Sequence, residues 1–222
     1  MVEKLIEKTG PAVQLESAAQ TKGERTRERI LDVAYQSIVE KGFAATSLEE
    51  LVEAAGITKS GFFYHFRDKN DMARQLFERF LAEDEAIFDT LETRARELSD
   101  DPLQSLLILL NLYAQMMDDM EALHPGCMVA TVTYQERMFD NELKQMNVDY
   151  LLRMRQRLGQ WFAEICEKYP PRIEVDLDAL ADHLTVIVEG AIVQSKALAD
   201  LSVMGRQTRL FRNHIKLIFG AA

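Results

Sequence analysis

Gly56 and Gly61 bracket Ile57, Thr58, Lys59 and Ser60, the spacing with which a phosphate-binding loop opens. Such a loop needs Lys and then Ser or Thr directly after its second glycine, to reach the outer phosphates and their magnesium ion. Phe62 and Phe63 occupy those places, which excludes that nucleotide chemistry. The chain has no Gly-x-Ser-x-Gly and no His-Glu-x-x-His, and His65, His124, His183 and His214 lack ligand spacing. No enzyme activity, metal or cofactor is expected from these residues. What residues 59–66, KSGFFYHF, do offer is a cation, hydroxyls, an imidazole and aromatic faces in one short run. Groups of these kinds hold phosphate oxygens and base edges, and an aromatic ring can lie against a thymine methyl.

Two short helices must position that run. Thr46 and Ser47 are N-cap types with Glu49 and Glu50 three positions on. Two overlapping capping boxes can therefore open a helix on which Leu48, Leu51, Val52 and Ala55 share one face. Gly56 accepts the left-handed conformation that ends it, and Thr58 can cap a second helix over 59–66. Two such helices about a tight glycine turn read as helix-turn-helix. Phe63 and Phe66 are expected to anchor the second helix while Lys59, Ser60, Phe62, Tyr64 and His65 face outward. A merely solvated face is the plain alternative, but exposed aromatic rings are costly without a partner, and DNA supplies one. A preceding helix over about 24–41, with Ile30, Val33, Ala34 and Ile38 on its core face and Gly42 at its end, would brace the pair.

Thr46, Ala55-Gly56, Lys59-Ser60, Gly61, Tyr64-His65-Phe66 and Lys69, in that order, closely resemble the DNA-binding domain of the tetracycline-repressor (TetR) family of bacterial transcriptional regulators. The resemblance covers roughly residues 25–75, and beyond them it is a general likeness of length and helix pattern. It implies base contacts from Lys59, Ser60 and Phe62, and phosphate contacts from Tyr64, His65, Lys69 and Thr46. The dipole of the helix that begins at Thr46 would add to the latter. Gly61 costs about 1 kcal/mol relative to Ala inside a helix, so it would serve close approach to the preceding helix or to the DNA backbone. Phe62 departs from the small or hydroxylic residue that the family often has there. The resemblance further implies that the last two helices, about 177–198 and 205–219, pair with those of a second subunit, and that the middle helices enclose an effector cavity. A two-fold dimer sets two reading helices a DNA turn apart or a multiple of it, which suits a palindromic operator in double-stranded DNA.

Composition agrees with a helical regulator. Ten glycines and five prolines in 222 residues, without recurring strand alternation or Asn-Gly hairpin signals, favour an all-α chain. The N-terminal ten residues lack the apolar centre of a targeting segment, and the longest apolar run, 106–110, is far short of a membrane span. Two cysteines, Cys127 and Cys166, suit a reducing compartment, and a cytoplasmic location is expected. The net charge of −10 argues at first against nucleic acid. Its distribution answers the objection: residues 22–80 hold ten Lys and Arg against ten Asp and Glu, and residues 81–222 hold fourteen against twenty-three. Lys22, Arg25, Arg27 and Arg29, and again Lys59, Arg67 and Lys69, can make the DNA-facing ends basic.

The chain thus divides into a flexible N-terminal arm at 1–21, a three-helix DNA-binding domain at 22–68, and a C-terminal helical effector-binding and dimerisation domain at 69–222. Asp101, Pro102 and Gln104 open a helix over about 103–120 that is apolar on most sides. Helices over about 69–98, 127–139 and 141–168 are expected around it, and Gly190, Ala191 and Ser195 would let another helix approach closely. Tyr113, Met116, Met117, Cys127, Met128, Tyr134, Met154 and Trp161 could line a pocket for an apolar or aromatic effector with a polar handle. The same residue types at helical spacing also make ordinary core. Cys127, where a helix N-terminus would depress its pKa, is either a small buried hydrophobe or a reactive thiol. These readings converge on a ligand-responsive transcriptional regulator, by resemblance a repressor. Its rivals are a thiol-based redox or electrophile sensor using Cys127 and a helix-turn-helix module that binds protein.

Overall fold

The computed structural model describes residues 21–220, and among these every regular element is helical. Helix α1 spans Lys22–Lys41, α2 Leu48–Ala54, α3 Lys59–His65, α4 Lys69–Leu98 and α5 Pro102–Asp118. They are followed by α6 Met128–Tyr134, a 3-10 turn at Glu136–Met138, α7 Asn141–Lys168, α8 Leu177–Leu198 and α9 Ser202–Phe219. Of the arm expected at 1–21, residues 1–20 lie outside the described residues, and Thr21 is the cap of α1.

Caps set the boundaries. Thr21 Oγ1 accepts the Glu24 N–H at 3.2 Å while the Thr21 N–H donates to Glu24 Oε2 at 2.7 Å, so α1 opens two residues earlier than expected. Ser47 and Glu50 form the same reciprocal pair at the start of α2. Asp101 Oδ1 accepts from the N–H groups of Leu103 and Gln104, and Asp176 Oδ1 from those of Asp178 and Ala179. Cys127 gives α6 no side-chain cap, and that helix stops at Tyr134, five residues short of expectation.

The helices gather into two packing units. One holds residues 21–84 and 125–147, the other 85–124 and 148–220; the sequence motif at 22–68 is only part of the first. Its core is Ile30, Leu31, Ala34 and Ile38 of α1 with Leu51, Phe62, Phe66, Leu76 and Phe77, all but sealed from solvent. In the other unit α9 packs along α5 and α8. The closest approach is at Gly205, where a Cβ would stand 2.0 Å from Asp118 Oδ1 and 2.9 Å from the Ala114 carbonyl oxygen. Arg209 then reaches the same carboxylate at 2.6 Å.

The carbonyl of Ala114 belongs to a helix backbone and cannot swing aside, so α5 and α9 must separate to admit a methyl. Gly205→Ala is expected to destabilise the protein by about 1–3 kcal/mol. Thermal unfolding should register a fall in Tm of roughly 2–4 °C for each kcal/mol. An unchanged Tm would show that the two helices can part freely.

Candidate nucleic-acid interface

Helix α3 has seven residues, too few to persist alone in water, so caps and buried rings decide where it lies. Thr58 Oγ1 accepts the Gly61 N–H at 3.1 Å and opens the helix. Gly56 turns the chain into it at φ +62, with nothing within 4 Å of a Cβ there, so the left-handed backbone alone asks for glycine. Phe62 and Phe66, one turn apart, are buried with ring centroids 5.3 Å from each other. Lys59, Ser60, Phe63 and Tyr64, with Arg67 just beyond the helix, are exposed. Phe63 is 52% and Tyr64 83% exposed.

Reader and anchor are therefore exchanged relative to expectation. Phe62, expected against DNA, is 0% exposed, and Phe63, expected inside, faces out. Spacings of three and four residues both bring side chains to one helix face, so either phenylalanine could have paired with Phe66. The cap at Thr58 and the buried Leu51 and Ala55 of the preceding helix select Phe62. Thr46 is corrected as well. It is 1% exposed, its hydroxyl donating to the Gly42 carbonyl at 2.9 Å and lying 2.9 Å from Ser37 Oγ, because Ser47 has taken the capping role.

The other expected contacts are placed as follows. Lys69 donates from Nζ to the Phe43 carbonyl and sits 4.0 Å from the centre of the Phe43 ring. Burial, and then Lys41, push its pKa down, so it is a positioned cation rather than a free arm. His65 is half-exposed and stands edge-on to Tyr64 at 5.0 Å. A Cβ on Gly61 would meet Thr58 Oγ1 at 3.4 Å, ordinary contact, so packing within the protein does not demand that glycine. Lys59 pairs with Glu49 of α2 at 2.5 Å, and Lys41 with Glu50 at 2.8 Å. The Lys59 hydrogen bond holds the Glu49 carboxyl below its ordinary range, and Lys41 with Ser47 brings that of Glu50 to about 2. These pairs are exposed, so water and salt screen them. Phe63 was not among the residues expected to face outward, although 59 and 63 follow the four-residue step of a helix face.

Beneath this surface Asp71 fixes the start of α4. Its carboxylate accepts from the Arg67 N–H at 2.9 Å and from Arg74 at 2.8 Å. Burial alone would push the carboxyl up, but the bonds from Arg67, Gln75 and Arg74 outweigh it and bring it down to about 2.

The residues expected to line an effector pocket fall in both packing units: Cys127, Met128 and Tyr134 in the first, Tyr113, Met116, Met117, Met154 and Trp161 in the second. Tyr134 is corrected: at 81% exposure it lines no cavity, because Met128 and Val132 form the buried face of α6 and Tyr134, two residues on from Val132, lies on the opposite face. Trp161 is packed core, its indole N–H donating to the Pro102 carbonyl at 2.9 Å and the Arg96 guanidinium 4.3 Å over its ring. The four methionines are buried, while Tyr113 and Cys127 are half-buried. An open groove of about 520 Å³ runs between α1 and α2, and Asp32, Glu40 and Glu50 in its lining make it no place for a phosphate.

Two outcomes check this geometry. Phe62→Ala should cost about 3–5 kcal/mol of stability, whereas Phe63→Ala should change it by no more than about 0.5 kcal/mol. Equal Tm losses would restore the original assignment. The second concerns acid. A carboxyl whose pKa is lower folded than unfolded stabilises the fold above its unfolded value, 3.8, and ceases to as pH falls through about 2. Asp71→Asn should thus lose about 2 kcal/mol at neutral pH, and its Tm deficit should close as the pH of the comparison is lowered from 4 toward 2.

Residues 30–76 match the family described as bacterial regulatory proteins, tetR family. Over 191 residues, 84% of each chain, the protein is 24% identical to the transcriptional regulator AcuR of Cereibacter sphaeroides. Over 177 residues, 77% of this chain and 82% of the other, it is 22% identical to the HTH-type transcriptional repressor DhaR of Mycobacterium sp. strain GP1. A TetR-family transcriptional regulator from Agrobacterium tumefaciens shares its fold with a TM-score of 0.72 at 21% identity, covering 86% of this chain and 98% of that one. With a capped helix-turn-helix that turns Lys59, Phe63 and Tyr64 to solvent, and with these likenesses, residues 30–76 are a DNA-binding domain of the tetR family, in a chain similar over most of its length to transcriptional regulators.

Proposed function

We propose that the protein is a homodimeric repressor that occupies a palindromic operator and leaves it when a small apolar or aromatic effector with a polar handle binds. The observation that carries the DNA contact is the outward face of α3, where Lys59, Ser60, Phe63, Tyr64 and Arg67 stand exposed over buried Phe62 and Phe66. Regulators of this family bind operator DNA as dimers. Pairing through α8 and α9 is supported by Val186, Gly190 and Val193, one exposed stripe at steps of four and three, and by exposed Leu210 and Leu217 one heptad apart. Nothing lies within 4 Å of a Cβ on Gly190, which leaves room for a second copy to come close. That DhaR is named a repressor supports the direction of control.

The polar handle has a candidate acceptor. Asn147 Nδ2 donates to Thr133 Oγ1 at 3.0 Å and to the Val129 carbonyl at 3.4 Å. The Thr133 hydroxyl spends its own proton on Val129 at 2.8 Å, so both neighbours can only accept and the amide orientation is fixed. Asn147 Oδ1 is left buried without a partner, alone among the described side chains in this. An effector that donates a hydrogen bond would satisfy it. Effector binding displaces the operator only if the effector prefers the dimer state in which the two α3 helices are wrongly spaced. Division of labour follows the sequence: 22–68 for DNA, 69–222 for effector and dimer. Among the described residues no helix is long and apolar enough to cross a membrane, and a cytoplasmic location is part of this reading.

Fluorescence anisotropy with the duplex that the protein selects from a random pool tests it. Affinity should fall steeply and linearly in log–log fashion with salt, since phosphates regain counterions on release. A flat response would mark a protein partner instead. Lys59→Ala should weaken binding and relax base preference, Tyr64→Ala should weaken all duplexes alike, and Glu49→Gln, which frees Lys59, should tighten binding roughly twofold to fivefold.

A further inference from the structure

The loop from which α2 and α3 set out is held by a segment nearly a hundred residues away in sequence. Gly42 ends α1 at φ +87, its N–H donating to Ile38 at 2.9 Å and its carbonyl accepting from the Thr46 hydroxyl at 2.9 Å. The Phe43 carbonyl accepts from Lys69 Nζ and from the Thr46 N–H. One group of this pair of residues remains, the Phe43 N–H, and it donates to Gln135 Oε1 at 3.0 Å. The Gln135 carboxamide also lies against the Gly42 α-carbon, where a Cβ would come within 2.5 Å of Nε2 and 2.9 Å of Oε1. The contact is not isolated. Phe139 packs on Phe43 with centroids 4.7 Å apart, Tyr35 donates to the Gly126 carbonyl at 3.2 Å, and Gly126 lies against Val39. Residues 125–147 accordingly belong to the same packing unit as α1–α3.

We infer that Gln135 is a positioning residue for DNA recognition: by holding the Gly42–Phe43 turn it sets the origin of α2, and with it the angle at which α3 meets a duplex. Among the described residues the Phe43 N–H has no other partner. Without that acceptor the peptide between Gly42 and Phe43 is tied only at its carbonyl, by the Thr46 hydroxyl, and can pivot about that bond. A rotation there carries α2 and α3 together, since the short turn at Gly56 and the Lys59–Glu49 pair join them. Base contacts depend on the position of α3 within a few tenths of an ångström, while phosphate contacts from long side chains do not.

That difference separates positioning from plain stability. Gln135→Met keeps length and volume but removes the acceptor; Gln135→Glu keeps the acceptor. With the full-length protein well below its Tm, Gln135→Met should lose roughly tenfold in affinity for the selected duplex, with affinity for a scrambled duplex little changed. Gln135→Glu should restore most of the ratio between the two. A Gln135→Met protein that melts lower yet keeps the wild-type ratio would make the contact structural only and overturn the inference. Should Gln135→Met fail to fold, deuterium exchange at the Phe43 amide of the wild-type protein decides: protection like that of α1 supports the latch, and exchange at the rate of an open loop refutes it.

Discussion

Phe62 and Phe66 hold in place a helix that cannot hold itself. With seven residues, α3 makes too few internal hydrogen bonds to repay the ordering of its first turn, so its existence rests on packing. Each buried ring contributes on the order of 2 kcal/mol from removal of apolar surface. Because successive residues are 100° apart around the axis, burying these two also decides what faces out. A rotation by one residue would sink Phe63 and expose Phe62. Recognition chemistry is therefore set by residues that never touch DNA, and the exposed groups inherit their direction from them.

The same dependence extends one step back along the chain. Thr46, Lys69 and Gln135 converge on Gly42 and Phe43 from α1's end, from α4 and from the segment after α6. Each satisfies one backbone group that would otherwise have to find water. With each backbone polar group of Gly42 and Phe43 engaged, this part of the turn is pinned, and it fixes the angle at which the two reading helices leave it. Three separated stretches of sequence thus make up a single reading head, and any of them can move it.

Local chemistry was legible in the sequence wherever a short-range rule sufficed. Asp101 with Pro102 started a helix, α7 and α8 run over 141–168 and 177–198 as expected, and Gly42 and Gly56 took positive φ. Where two neighbours obeyed the same rule, the choice escaped. Thr46 and Ser47 are both capping types, and Phe62 and Phe63 both suit a partner at Phe66. The tie is broken in each case by burial, a property of the whole unit. Tyr134 escaped because the face of MVATVTY that packs inward, Met128 with Val132, is settled only by the unit around it. Gln135 escaped altogether, since a hydrogen bond across 92 residues leaves no trace in local pattern.

Charge presents a subtler case. A chain with ten more acids than bases binds a polyanion, and its recognition cation is already paired with a carboxylate on the adjacent helix. A phosphate approaching Lys59 must take the place of Glu49, which the bond to Lys59 keeps ionised. Exposed pairs of this kind are weak, so the exchange is cheap where phosphate arrives in register with α3. Where it arrives elsewhere along α2, it meets Glu53 and Glu50, the latter already paired with Lys41. Acid beside the reading helix then acts as repulsion against misplaced duplex, and discrimination comes from the wrong alignments being penalised as much as from the right one being held.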